Sequence, residues 1–140
     1  MLALVASGLA GCAMNPPAPA PDVTIKAAAE DVRNRLAFEM VGRGGRIVSL
    51  TDSRLIAEKP LDGARAILSQ LMLGNAYSTS PVGTVTFIFL YEPGAVRVLG
   101  SAAVTSQSAG GQTNTAPAPA NYAGMQRMLV DIKNELETAR

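Results

Sequence analysis

The chain has 140 residues, a formal net charge of +1, 48% hydrophobic residues, one cysteine, and no histidine or tryptophan. Near-neutral charge removes the electrostatic case for a nucleic-acid partner, and a single cysteine excludes an intrachain disulfide. Without histidine there is no Ser-His-Asp or Cys-His catalysis, and the commonest zinc and copper ligand is missing.

The chain opens on an apolar run, Met1 to Leu9, followed by Ala10, Gly11 and the sole cysteine, Cys12. Cleavage at a membrane surface favours small side chains before the bond, and a thioether anchor requires a nucleophilic sulfur. Leu9-Ala10-Gly11-Cys12 resembles a bacterial lipobox. The resemblance implies that residues 1–11 are a signal peptide and that Cys12 is acylated on its sulfur and on its new N-terminus. It implies no cofactor beyond that covalent lipid. The other reading is a structural cysteine on a buried apolar helix. A membrane span is not expected, because the run falls well short of the roughly 20 apolar residues required.

Signal peptides open with Lys or Arg, whereas Met1-Leu2-Ala3 carries neither, so the expected translation start lies upstream and leaves Cys12 in place. In Gram-negative lipoproteins an Asp after the cysteine implies retention at the inner membrane. Ala13 stands here instead, and the resemblance then implies the outer membrane, facing the periplasm. At about 0.8 kcal/mol per buried methylene, two or three acyl chains anchor a protein almost permanently.

Residues 12–21 carry this cysteine and a Pro/Ala tether, Ala13 to Pro21. Proline favours extended polyproline II, which gives a semi-rigid spacer of roughly 25–30 Å. Residues 22–140 then read as a single domain. Thr24 is placed to cap a helix running to about Val41, with Ile25, Ala28, Ala29, Val32, Leu36 and Met40 on its apolar face. Gly42, Gly44 and Gly45 end it.

Arg46 to Leu50 and Arg54 to Lys59 read as short strands around a Thr51-Asp52-Ser53 turn. Asp62 is placed to cap a short helix through Ala64, Ile67, Leu68 and Leu71. Thr84 to Glu92 and Ala95 to Thr105 carry the clearest strand signal, joined by Pro93-Gly94. Both faces of the first are apolar, which fits a central strand covered by helices, and Gly100 is placed to mark a bulge. Ser106 to Asn121 is polar and low in complexity, which predicts a flexible loop or a hairpin extension that orders only against a partner. Tyr122, Met125, Leu129, Ile132 and Leu136 make one stripe of a final helix.

The expected fold class is α+β, an antiparallel sheet of about four strands with the N- and C-terminal helices packed on one face. This order is topologically similar to small periplasmic lipoprotein domains, including those of the outer-membrane β-barrel assembly machinery.

No residue set suggests catalysis or metal binding. Glu30 and Asp31 are adjacent, and helix neighbours do not face each other. Gly42-Arg43-Gly44-Gly45-Arg46 lacks phosphate-loop spacing and follows a helix where such a loop precedes one. Arg43, Arg46 and Arg54, with Lys59 and Arg65, are the candidate contacts to a partner or an anion. The leading expectation is a membrane-anchored, non-enzymatic periplasmic adaptor that binds a protein partner through a sheet edge and the 106–121 loop. The alternative is a binding module for an apolar or anionic envelope ligand, lipid or lipopolysaccharide. Its expected pocket is lined by Phe87, Phe89 and Leu129 with Arg46 or Arg54 at the mouth.

Overall fold

A computed structural model describes residues 18–61, 81–107 and 111–139. The fold is α+β: an antiparallel sheet of six strands and two helices. In chain order these are β1 (Asp22–Ile25), α1 (Ala29–Gly42), β2 (Arg46–Leu50), β3 (Arg54–Pro60), β4 (Val82–Glu92), β5 (Ala95–Gln107), β6 (Thr113–Pro117) and α2 (Tyr122–Thr138). Cys12, the expected helix at 62–71 and Arg65 lie outside the described residues.

The N-terminal helix begins later than its apolar spacing suggests. Val23 and Ile25 are buried while Asp22 is exposed and Thr24 half-buried, a period of two, so this segment is a strand rather than a first helical turn. Thr24 therefore caps nothing, and α1 starts at Ala29 after Ala28, without a side-chain cap. Val32, Leu36 and Met40 supply its buried stripe at i, i+4 and i+8. The helix closes through Gly44, whose φ of +85° is strained for other residues, and Gly45 N–H donates to the Met40 carbonyl at 2.9 Å.

The strand order is β1-β5-β4-β3-β2, with β6 also on β5. Along the outer edge of β5, β1 pairs with Val96–Leu99 and β6 with Ala103–Gln107. Between them, Gly100 N–H donates to the Pro21 carbonyl at 2.8 Å and Ala118 N–H to the Ala102 carbonyl at 2.9 Å. β6 corrects the expected loop. Its residues have little to bury, but an edge strand needs only backbone pairing, supplemented here by the Thr105–Thr115 hydroxyl contact at 3.2 Å.

The bulge expected at Gly100 is elsewhere. The β4–β5 register runs unbroken through Phe87↔Gly100, and the irregularity falls between Ile47 and Ser49 in β2. A Cβ at Gly100 would stand 3.0 Å from Met125 Cε, 3.1 Å from Pro21 Cβ and 3.4 Å from Phe87 Cε1. Glycine is there for closeness rather than for a kink.

Phe87 and Phe89 of β4, Leu55 of β3, Val96 and Val98 of β5 and both buried strand residues of β1 form one core with α1 and with Met125, Met128, Leu129 and Ile132 of α2. Both helices thus serve the same sheet face. The other face of β4 is not covered among the described residues: Ile88 and Leu90 are 43% and 42% exposed. That corrects the expectation of a strand buried on two sides.

Side chains of α2 also hold β1 by its backbone. Gln126 accepts from Asp22 N–H at 2.9 Å and donates to its carbonyl at 3.3 Å. Lys133 donates to the Thr24 carbonyl at 2.9 Å, and Glu137 accepts from Lys26 N–H at 2.9 Å. These bonds satisfy groups that an edge strand otherwise presents to solvent.

Candidate functional site

The helices meet where Arg35 of α1 reaches Glu135 of α2 at 3.0 Å. Past that bridge, the C-terminal end of α1 and the N-terminal end of α2 flank an open groove of about 600 Å³. Ala57, Val85 and Phe87 are its floor-side sheet residues, and Met40, Met125 and Met128 line it from the helices. α2 supplies room there because Ala123 and Gly124 carry almost no side chain at the groove's rim. Arg43, Glu58, Lys59 and Arg127 are the charged residues that border it.

Those charges are not equivalent. Glu58 accepts from Arg46 at 3.0 Å, and Arg43 donates to Glu39 at 2.9 Å. Arg35 and Arg43 share Glu39, and their guanidinium groups hold its carboxyl below the usual range, Arg35 contributing most. Lys59 Nζ donates to the Arg43 carbonyl at 2.9 Å and has no ion pair among the described residues. Arg127 has no ion pair among the described residues. The groove is apolar within and cationic at its border.

The expected site residues divide accordingly. Phe87, Phe89 and Leu129 are all core residues, 0%, 2% and 0% exposed; of the three only Phe87 lies beneath the groove, which Arg43 borders. Arg46 is spent on Glu58, and Arg54 pairs in register with Ile88 on the uncovered sheet face, away from the groove. Of Arg43, Arg46 and Arg54, Arg43 alone lines the groove. Sequence reasoning passed over Arg127; the small pair Ala123-Gly124 beside Met125 and Met128 was the available signal.

The surfaces expected to take a partner strand are partly occupied. β1 and β6 cover the β5 edge, and α2 caps β1. The β2 edge is broken by its bulge, with Val48 and Leu50 exposed. Among the described residues no group of three or more His, Cys, Asp or Glu is placed to hold a metal ion, and no helix is long and apolar enough to cross a membrane.

No family model, curated protein or solved structure matches the chain.

Away from the groove, Asp22 receives both Arg97 Nε at 2.9 Å and Arg97 Nη2 at 2.6 Å, and this paired donation lowers its carboxyl below the usual range. Glu137 is lowered too, chiefly by Lys133 at 2.7 Å. A carboxylate lowered in the folded state adds stability above its unfolded pKa of about 4 and loses it as pH falls through the folded value. Thermal melts are therefore expected to hold steady above about pH 5 and decline below about pH 4. Asp22→Asn should lower the midpoint at neutral pH and flatten the acid decline; an unchanged slope would show that Asp22 does not contribute to it.

Proposed function

We propose that this chain is an envelope lipoprotein, anchored through acylated Cys12 at the periplasmic face of the outer membrane, and that its domain is a non-enzymatic binding module. The lipobox-like Leu9-Ala10-Gly11-Cys12 supports the anchor. The observation that carries the binding role is the open groove between the helix ends, apolar inside and bordered by Lys59 and Arg127. A filled core with no such opening would favour a purely structural part.

Two occupants fit a module of this kind. A protein partner taken up by strand addition loses support from the covered β5 edge and the bulged β2 edge. An apolar or anionic envelope ligand gains support from Lys59 and Arg127, which have no ion pair among the described residues, beside the methionine-lined groove. The ligand-binding reading is therefore placed ahead of the adaptor.

The anchor is tested by expression from the native locus with a clickable palmitate analogue, followed by membrane fractionation. Label in the outer-membrane fraction that vanishes in Cys12→Ser is the expected outcome. Unlabelled soluble protein in both forms would remove the lipoprotein reading and leave the groove to be explained without a membrane.

A further inference from the structure

We infer that the groove holds the acyl chain of a phospholipid whose head group carries net negative charge, drawn from the bilayer to which the domain is tethered. The inference rests on reading the domain as a binding module, and it names the ligand class.

The chain-binding half follows from the lining. Met40, Met125 and Met128 are unbranched thioethers that adapt to a flexible hydrocarbon better than branched side chains do, and half-buried Val85 adds apolar surface above the fully buried Phe87. About 600 Å³ lies within the range of small-molecule sites. An apolar slot alone would also accept neutral lipids or a helix, so the charges decide between occupants.

Among the described residues four ionisable groups border the slot, and two of them are already neutralised: Glu58 by Arg46 and Arg43 by Glu39. Lys59 and Arg127 remain, one on the sheet side and one on the helix side. A guanidinium presents paired donors that match two phosphate oxygens, and an ammonium with donors left over adds a point charge. The complement of this border is a phosphate ester with no compensating cation of its own. A zwitterionic head would place its ammonium against the same two residues.

The source of the lipid follows from where the tether enters. Pro21 and Met125 both press against Gly100, so the chain joins the domain directly behind one groove-lining methionine. The nine residues from Ala13 to Pro21 span roughly 25–30 Å when extended. The groove is thereby kept within about one tether length of the membrane surface.

The test uses full-length Cys12→Ser protein, which has no thiol to be acylated. Binding of dodecanoyl lysophosphatidylglycerol and of dodecanoyl lysophosphatidylcholine is measured by calorimetry below their micelle concentrations, with inorganic phosphate as a third probe. Saturable binding of the glycerol lipid at least about tenfold tighter than the choline lipid is expected, with no saturable binding of phosphate. Lys59→Ala with Arg127→Ala should erase the preference, the lost Lys59–Arg43 hydrogen bond showing only as a small drop in the unliganded melting temperature. Met128→Glu should abolish binding of both lipids. Ala123→Trp, at an exposed position on the rim, should do so without touching the core.

Equal affinity for the two lipids would overturn the head-group assignment and leave the groove as a binding site. Binding of phosphate as tight as that of the lipid would overturn the chain assignment. No saturable binding of either lipid would overturn the inference entirely. Saturable binding of an acidic amphipathic peptide under those conditions would give the groove to a protein partner. None of these outcomes bears on the palmitate label, so failure here and failure of the anchor remain distinct.

Discussion

Phe87→Ala is expected to remove about 3–5 kcal/mol of stability, a large part of what a domain of this size possesses. Phe87 is fully buried at the centre of β4, opposite Leu55 on one side and Gly100 on the other. Its ring edge fills the space that the missing Gly100 side chain leaves open. Truncation loses the transfer energy of the ring and leaves a cavity that a sheet cannot collapse. Urea unfolding should show a lowered midpoint with an unchanged slope. The neighbouring Ile88→Ala is the internal comparison: that side chain points to the uncovered face, and its loss should cost on the order of 0.5–1 kcal/mol. Equal losses at both positions would mean that the second face is buried in solution.

Gly100→Val should destabilise the domain by about 1–3 kcal/mol or more, although valine is the better strand residue and glycine the worse. Of the three atoms that a Cβ would approach, Met125 Cε can swing away. Pro21 Cβ has less freedom, because the Pro21 carbonyl accepts the N–H of Gly100 itself at 2.8 Å. Relieving the contact means lengthening that bond or displacing the chain leading into β1. Gly124→Ala provides the opposite sign. Nothing lies within 4 Å of a Cβ there, and removing a helical glycine should stabilise by about 0.5–1 kcal/mol. Denaturant melts that rank valine at 100 above wild type would show that the approach is not tight.

Elements whose residues bury one clear face were legible in the sequence. Arg46–Leu50 was bounded correctly, β3 and β4 within two residues at each end, and the start of α2 at Tyr122. Two strands were not, for opposite reasons. In β1 the apolar residues also satisfy helical spacing with Ala28, Ala29 and Val32, so period alone could not separate strand from helix. In β6 the side chains carry no apolar signal at all, and only the vacant backbone groups of β5 bring the strand into being. The groove's lining was not legible: a pocket of Phe87, Phe89 and Leu129 with Arg46 or Arg54 at its mouth is the expectation from sequence, whereas which arginines remain unpaired depends on partners such as Glu39 and Glu58 that only the fold brings near.

The end-to-end placing of β1 and β6 on one strand also governs the order in which the molecule can form. Asp22 meets Arg97 across 75 positions of chain, and β1 has no other strand to pair with among the described residues. A chain emerging N-terminus first leaves that segment without its template until β5 has followed it out, and without its helix clamps until α2 has done so. Closure of such distant pairings must precede their reward, which places folding in the slower, milliseconds-to-seconds class and makes it a property of the finished chain rather than of the growing one.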